Sequence, residues 1–414
     1  MGGKFTIAAH GAIVRASGPT GTTMRRILLT ALALAGLAAC TRHAPPPPSQ
    51  PQPAAAGAVA EYASERGTLR VTELVAGLAH PWGLAFLPDG SMLVTERPGF
   101  LRRIGADGTV SAPLAGVPEA YVSGQAGLLD VAISPTFADD RYVYLAWCEP
   151  SLRGNLCGTA VGRGRLGAAG LDDFKVLFRQ EPKLSAGTHV GARLVFDGRG
   201  HLFVTLGENR QAPLAQELDK LQGKLVRIFP DGSVPPDNPF IGREDARPEI
   251  WSYGHRNIQG AALHPATGAL WTTEHGPMGG DELNIPQAGR NYGWPVITDG
   301  LDYSGQPVPG AVGKTAPGME PPHHSWTPSP GLSGLAFYTA DRFPAWRGNL
   351  FAGALAAQAL VRLELDGERI VHEERLLKDR GERIRTVVQG PDGALYLLTD
   401  SPKGKLLRVE LLGG

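Results

Sequence analysis

Two segments of this 414-residue chain concentrate the side chains that could do chemistry. In PEIWSYGHRNIQG, the run Gly254-His255-Arg256-Asn257 sets a guanidinium and an amide just before a strand-like stretch. Arginine presents several donors in a rigid fork, which suits planar carboxylates and quinone oxygens. In TTEHGPMGGDELNIPQAGRNYGWP, Glu274-His275-Gly276-Pro277 ends a strand-like run and enters a loop carrying Asp281, Glu282, Asn284 and Tyr292. Carboxylates mixed with loop carbonyls are the oxygen ligands that calcium prefers. Arg383 and Arg385 alternate in ERIRT and so project from one face of an extended strand. His189 lies in GTHVGARL, ahead of another strand-like stretch. A lone histidine is more often a surface-loop residue than a functional one.

These residues lie far apart in sequence, so the fold has to gather them. One phrase recurs: an apolar pair, a turn with Pro, Asp or Gly, then a second alternating strand. It begins at Gly83 (GLAFLPDGSMLVTER), Gly127, Ala192, Gly260, Gly334 and Thr386 (TVVQGPDGALYLLTD). Alternation at period two marks strands, and PDG or a relative supplies the tight turn. Six such hairpins predict an all-β fold, a six-bladed β-propeller with four-stranded blades, over residues 67–414. A β-sandwich fits poorly, since its strands do not recur as one self-similar phrase. Helical periodicity is scarce; Ala212–Gly223 reads as a short helical turn or irregular loop. A propeller gathers loops from every blade around one channel, where distant polar residues can meet.

Composition agrees. High Gly (55) and Pro (35) suit short strands and many turns. The 40 basic and 40 acidic side chains balance, giving no support for a nucleic-acid partner. GRGRLGAAG near Gly162 lacks the strand–helix setting of a dinucleotide loop.

The N-terminal region reads differently. From Met24, the expected start, MRRILLTALALAGLAAC shows a charged segment, an apolar run and small residues ending at Cys40. The run is shorter than the roughly 20 residues of a membrane span. Leu37-Ala38-Ala39-Cys40 resembles a bacterial lipoprotein signal, so residues 1–40 are expected to be a signal region. A lipid on Cys40 would attach a periplasmic protein to a membrane. An ordinary secretory peptide is the alternative, and Thr41 leaves the choice of membrane open. Residues 41–66, rich in proline and small side chains, read as a tether. Cys148 and Cys157 flank an expected hairpin tip; in an oxidising compartment a disulfide is the default, and two unrelated buried thiols the alternative.

Taken in order, HPWGLAFLPDG, SGQAGLLDVAISPTF, HVGARLVFD, GHRNIQG, EHGPMGGDELN, NYGWP and ERIRTVVQGPDG resemble the soluble aldose and glucose dehydrogenases that use pyrroloquinoline quinone (PQQ). These are six-bladed propellers, and the likeness spans the whole body. The resemblance implies oxidation of an aldose sugar at C1 to a lactone, with His189 as the base and hydride passing to PQQ. Glu208, in TLGEN, matches a carboxylate that orients the base, although the family often has Asp there. Arg256 and Asn257 match the pair on the quinone carbonyls, and Gln125 a substrate- or cofactor-side amide. Arg383 and Arg385 match arginines on the PQQ carboxylates. Tyr303 is implied as a cofactor contact. Trp326 is implied as a cofactor stack or sugar floor, and equally reads as blade packing. Gly276 and Pro277 match carbonyl ligands of the calcium ion beside PQQ; Glu282 and Tyr292 match another calcium site.

One departure stands out. Gly353-Ala354-Leu355-Ala356 puts alanine where the family commonly has a lysine near the cofactor, and Arg362 is a possible substitute. Two other functions compete: a calcium-dependent lactonase, and a non-catalytic surface propeller that binds glycan or protein. Grouped arginines around a trianionic cofactor favour PQQ over the lactonase, while the missing lysine lends some weight to the surface propeller. Nothing in the sequence points to a particular electron acceptor or oligomeric state.

Overall fold

The computed structural model describes residues 54–55, 57–185 and 187–412. Cys40 and the signal region lie outside them. Six antiparallel sheets follow one another along the chain. Blade 1 comprises Pro81–Phe86, Met92–Glu96 and Phe100–Ile104. Blade 2 comprises Leu128–Ile133, Tyr142–Pro150, Cys157–Leu166 and Leu171–Arg179. Blade 3 comprises Leu194–Phe196, Leu202–Thr205, Lys224–Ile228 and Ile250–Tyr253. Blade 4 comprises Ile258–Leu263, Leu270–Glu274, Asp281–Asn284 and His324–Trp326. Blade 5 comprises Leu332–Phe337, Leu350–Ala354, Ala359–Asp366 and Arg369–Leu376. Blade 6 comprises Ile384–Gln389, Leu395–Thr399, Gly404–Leu412 and, from the other end of the chain, Gly67–Leu78. The protein is thus the expected six-bladed β-propeller, with the ring closed by an N-terminal strand. Each repeated phrase forms the first hairpin of a blade.

The glycines that open the phrases have a steric reason. First strands of successive blades pack side by side, and a Cβ on Gly260 would fall 2.1 Å from the Ser333 carbonyl oxygen. One on Gly334 would fall 2.8 Å from the Thr386 Cα. Between blades, large side chains fill the wedge. Trp271, Leu335, Phe337, Leu350 and Leu363 form one such layer between blades 4 and 5.

Three expectations are corrected. Blade 1 has three regular strands rather than four; it is continued irregularly by the Ile104–Val110 bridge and by Ser111 and Leu114 N–H donating to the Arg103 and Leu101 carbonyls. The segment read as a tether is ordered at its C-terminal end: Val59–Ser64 pairs with Gly67–Thr72. Its low apolar content is compensated by distant polar partners. The Glu65 amide donates to Glu374 Oε1 (2.7 Å), Arg380 donates to the Tyr62 hydroxyl (2.9 Å), and Arg66 pairs with Glu364 (2.6 Å). Third, Cys148 and Cys157 are free, buried thiols on neighbouring strands of blade 2. The ladder sets Cys148 opposite Thr159, and the hairpin tip is closed by Ser151 N–H donating to Leu156 O (2.7 Å). The segment after Asn209 contains a 3-10 turn, Ala212–Gln216, and is otherwise irregular, in line with its sequence.

Candidate active site

The site is built by the loops that enter the innermost strands. His189 precedes the first strand of blade 3, Arg256 and Asn257 that of blade 4, and Gln125 that of blade 2; Arg385 lies on the first strand of blade 6. His189 has φ +50° and is gripped on both sides of its backbone. Its N–H donates to Gln125 Oε1 (2.8 Å), and its carbonyl accepts from Asn209 N and Nδ2 (both 3.1 Å). A Cβ on Gly207 would stand 1.9 Å from that carbonyl, so the turn in TLGEN requires glycine there.

The imidazole Nδ1 lies 2.7 Å from Glu208 Oε1. An ionised carboxylate only accepts, so Nδ1 carries the proton and Nε2 keeps its lone pair. No hydrogen bond joins Nε2 to another described residue. Burial, with Arg256 adding to it against the pull of Glu208, holds the His189 pKa below the usual histidine value. A buried, oriented, neutral imidazole with one free lone pair is the form a general base needs.

Around it, buried donors lack protein partners: Arg256 Nε, Asn257 Nδ2, His275 Nε2 and Arg385 Nε. Buried polar atoms are nearly always paired, so a cluster of orphan N–H donors marks a place built for an electron-rich ligand. Arg256 donates to the His275 carbonyl (3.1 Å), and its guanidinium lies 5.2 Å from the Trp294 ring centre. Arg383 and Arg385 share Asp400 Oδ2, at 3.3 and 3.0 Å, which places them on one face as the alternation predicts. Burial lowers the Arg385 pKa to about 10, so the group stays charged at neutral pH. Burial alone would raise Asp400; Arg385, His80 and Arg383 instead hold it well below the carboxylate range. Three guanidiniums and an amide donor fit PQQ, a planar tricarboxylate with quinone carbonyls.

A second, oxygen-rich cluster sits beside Arg256. Glu274 and Glu282 face each other across an antiparallel pair. Burial and the carboxylates of Glu274, Asp299 and Asp281 push Glu282 well above the usual carboxylate range. Asn284 Nδ2 donates to both glutamates (3.0 Å each), leaving its buried Oδ1 without a partner. Orphan oxygens and opposed carboxylates fit a cation. Among the described residues no three acidic, histidine or cysteine side chains form a metal-binding group. A cation here would draw on carbonyl oxygens, as calcium readily does. Gly276 belongs to a tight loop, its N–H on Asp281 Oδ1 (3.0 Å), with Pro277 against Gly300. The Tyr292 ring stacks on His255, and its hydroxyl donates to the Ile285 carbonyl (2.8 Å); burial raises its pKa to about 12.

Two assignments change. Trp326 is in the outermost strand of blade 4, buried among blade-5 residues, with Nε1 on Glu373 (2.6 Å). It is inter-blade packing, the other reading its sequence allowed. Arg362 cannot stand in for the missing lysine, because Glu374, Asn349 and Glu65 hold its fully buried guanidinium between the outer strands. Ala356 itself is beside the site: the neighbouring Leu355 carbonyl accepts from Arg383 (3.2 Å). Tyr303 is 65% exposed, on the loop that bridges Met278 through Leu301.

Sequence reasoning missed Asp400, Gln259 and the role of Glu274. A signal for two of them existed. In blades 1, 3, 4 and 6 the second strand ends on or near an acid, in VTER, VTLGE, TTEH and LLTD. Each of these acids accepts from the entry to its own blade. Glu96 takes Ala79 N, Glu208 takes His189, Glu274 takes His255 and Arg256 N, and Asp400 takes Arg383, with His80 from the entry to blade 1 on its other oxygen.

Below the site the axis is plugged. Arg193 pairs with Asp130 (3.0 Å), donates to Gln259 O and Thr386 Oγ1, and lies 4.1 Å from the Trp82 ring centre. Beside this pair is a cavity of about 240 Å³ lined by Leu84, Val131, Ala261, Leu335 and Val388 together with Asp130 and Arg193 themselves. A larger cavity, about 540 Å³, lies off the axis around Trp251, Asn284 and Tyr292.

Comparison with known proteins accords with this geometry. The family model described as Glucose / Sorbosone dehydrogenase matches residues 78–408. The aldose sugar dehydrogenase YliI of Escherichia coli is 53% identical over 346 residues, 83% of this chain and 93% of that protein. A glucose dehydrogenase crystal structure is 60% identical, with a TM-score of 0.80 over 82% of this chain and 98% of that one. The PQQ-bound aldose sugar dehydrogenase of Streptomyces coelicolor is 29% identical, with a TM-score of 0.66 over 83% of this chain and 98% of its own. A match over most of the propeller, to relatives covered nearly end to end, establishes that the chain belongs to the glucose/sorbosone dehydrogenase family.

Proposed function

We propose that the protein oxidises aldose sugars at C1 to lactones, with PQQ as its bound oxidant and His189 as general base. The observation that carries this reading is the pairing of an oriented, neutral His189 with orphan buried donors on Arg256, Asn257 and Arg385. Its relatives named for aldose sugar and glucose oxidation, one of them PQQ-bound, support it. When bound, PQQ supplies the two-electron acceptor for the hydrogen that leaves C1 as hydride.

The chain's own groups account for the rest. His189 takes the O1 proton at Nε2 as the C1 carbonyl forms. Glu208 keeps Nδ1 protonated and stabilises the imidazolium that results. Gln125 fixes the histidine backbone. Arg256 Nε and Asn257 Nδ2 would donate to carbonyl oxygens of the bound cofactor, and Arg383 and Arg385, aligned by Asp400, would hold its carboxylates. Loss of the lysine at Ala356 leaves Arg383 as the cation nearest that position. Calcium would bind through the Gly276 and Pro277 carbonyls, and a second ion through Glu282 and the Tyr292 main chain. Lipid attachment at Cys40 would place the enzyme on the periplasmic side of a membrane.

The test is dye reduction by the full chain supplied with PQQ and calcium, across a panel of aldoses, with His189→Ala alongside. Sugar-dependent reduction that requires PQQ and is lost in the variant is the expected result. Failure to bind PQQ even at high concentration would overturn the reading and favour a surface propeller that binds glycan.

A further inference from the structure

Gln259 is not among the groups assigned above, yet it touches two of them. It is buried on the first strand of blade 4, two residues beyond Asn257 on the same strand face. Its Oε1 accepts from Arg385 Nη1 at 2.8 Å, across the channel from blade 6. Its Nε2 donates to Asn257 Oδ1 at 3.1 Å. The same Asn257 oxygen accepts from Gly191 N–H at 3.1 Å, and Asn257 Nδ2 is buried without a partner. The Gln259 main chain is also held, its carbonyl accepting from Arg193 Nε at 3.2 Å in the axial plug.

The direction of this chain of bonds is forced. A guanidinium has donors only, so Arg385 compels Gln259 to turn its oxygen toward blade 6. Gln259 must then point its NH2 at Asn257, and Asn257 must receive it through oxygen. The Asn257 NH2 is thereby left facing the site as a donor. Reversing Gln259 would set NH2 against the Arg385 guanidinium and oxygen against the Asn257 oxygen; reversing Asn257 would set its NH2 against the Gln259 NH2 and the Gly191 N–H, each costing buried hydrogen bonds.

We propose that Gln259 is a positioning residue that fixes the hydrogen-bond polarity of Asn257, coupling the arginine end of the site to the amide end so that Asn257 presents N–H to a conjugated carbonyl of the cofactor. The inference rests on the PQQ reading for the identity of that acceptor. It gives the site a preference: a planar ligand must carry an acceptor opposite Asn257 and an anionic group near Arg385 to satisfy both ends.

The experiment is a double-mutant cycle on PQQ affinity, titrated against the ligand-free full-length protein with Gln259→Met, Asn257→Ala and the double variant. Gln259→Met is expected to weaken PQQ about tenfold, the effect of one lost hydrogen bond to a charged network. Added to Asn257→Ala, it should cost less than about threefold more, because the residue acts through Asn257. Full multiplication of the two losses, or unchanged affinity in Gln259→Met, would overturn the inference. Gln259→Glu keeps the Arg385 contact and the packing, and so covers a failure of the methionine variant to fold. It sets a carboxylate against Asn257 Oδ1, and its loss of affinity should be at least threefold smaller in the Asn257→Ala background; an equal loss in both backgrounds counts against coupling. If the unaltered protein binds no PQQ, the cofactor reading fails separately. A ligand-free crystal structure of Gln259→Met then decides the relay, which is refuted if Asn257 keeps its orientation and order.

Discussion

His189–Glu208 in blade 3 and His255–Glu274 in blade 4 are the same device built twice. Each histidine lies at the entry to its blade, each glutamate 19 residues later at the end of the second strand, and each Nδ1–H is bound to a buried carboxylate, at 2.7 and 2.9 Å. They differ at the other ring nitrogen. His255 Nε2 accepts from Ser252 Oγ (2.9 Å), its ring stacks on Tyr292, and it is fully buried. His189 Nε2 has no such cap and meets the channel. Glu274 spends its second oxygen on the Arg256 backbone N–H (2.7 Å), whereas Glu208 Oε2 has no partner. Identical repeat geometry therefore yields a base in one blade and a brace in the next. What separates them is whether neighbouring loops satisfy the last lone pair.

That contrast can be broken by substitution. His189→Ala should lower kcat by about 10²–10⁴-fold, the usual worth of a general base, while thermal unfolding stays close to that of the unaltered protein. His255→Ala should do the reverse to the fold. Leaving Glu274 buried beside an unpartnered Ser252 costs about 3–5 kcal/mol in denaturant unfolding, and PQQ affinity falls because Arg256 loses its anchor. If His255→Ala were as stable as the parent, the brace interpretation would be wrong.

Smaller effects sharpen the comparison. Glu208→Gln should reduce kcat by roughly 10–100-fold, since Nδ1 loses a charged acceptor and the imidazolium its counter-charge. Its pH profile carries a sign. His189 must be neutral to act, and burial lowers its pKa, so the acid limb of kcat in the parent should have its midpoint below about 6.5. Glu208 opposes that lowering; removing its charge should shift the limb further toward acid even as the plateau drops. A limb that moves upward would show that Glu208 does not act on His189. Smallest of all, Ser252→Ala should cost about 1 kcal/mol of stability and leave kcat unchanged, because its hydroxyl caps a ring that performs no chemistry.

The lost disulfide and the ordered tether show where sequence reasoning runs short. Cys148 and Cys157 flank a tip short enough to invite a bridge, and blade 2 does bring their side chains into contact, yet both remain free thiols; spacing sets their proximity and not their oxidation state. VAEYAS carries little apolar signal because an outermost strand buries only part of itself, and the partners that hold it, Glu374 and Arg380, are some 300 residues away. Trp326 and Arg362 were ambiguous for a related reason: a buried aromatic or arginine reads the same in sequence whether it faces the axis or the next blade.

The sequence by itself determined the six hairpins and their all-β character. Period-two alternation, turn chemistry and blade-opening glycines are local requirements that each repeat must meet alone. Only the tertiary structure decided which of two equivalent histidines is free, which way Asn257 points, and that Gln259 and Asp400 belong to the site. Those outcomes depend on hydrogen-bond polarity among side chains from four blades, and each bond in such a network is directed by partners that local sequence cannot specify.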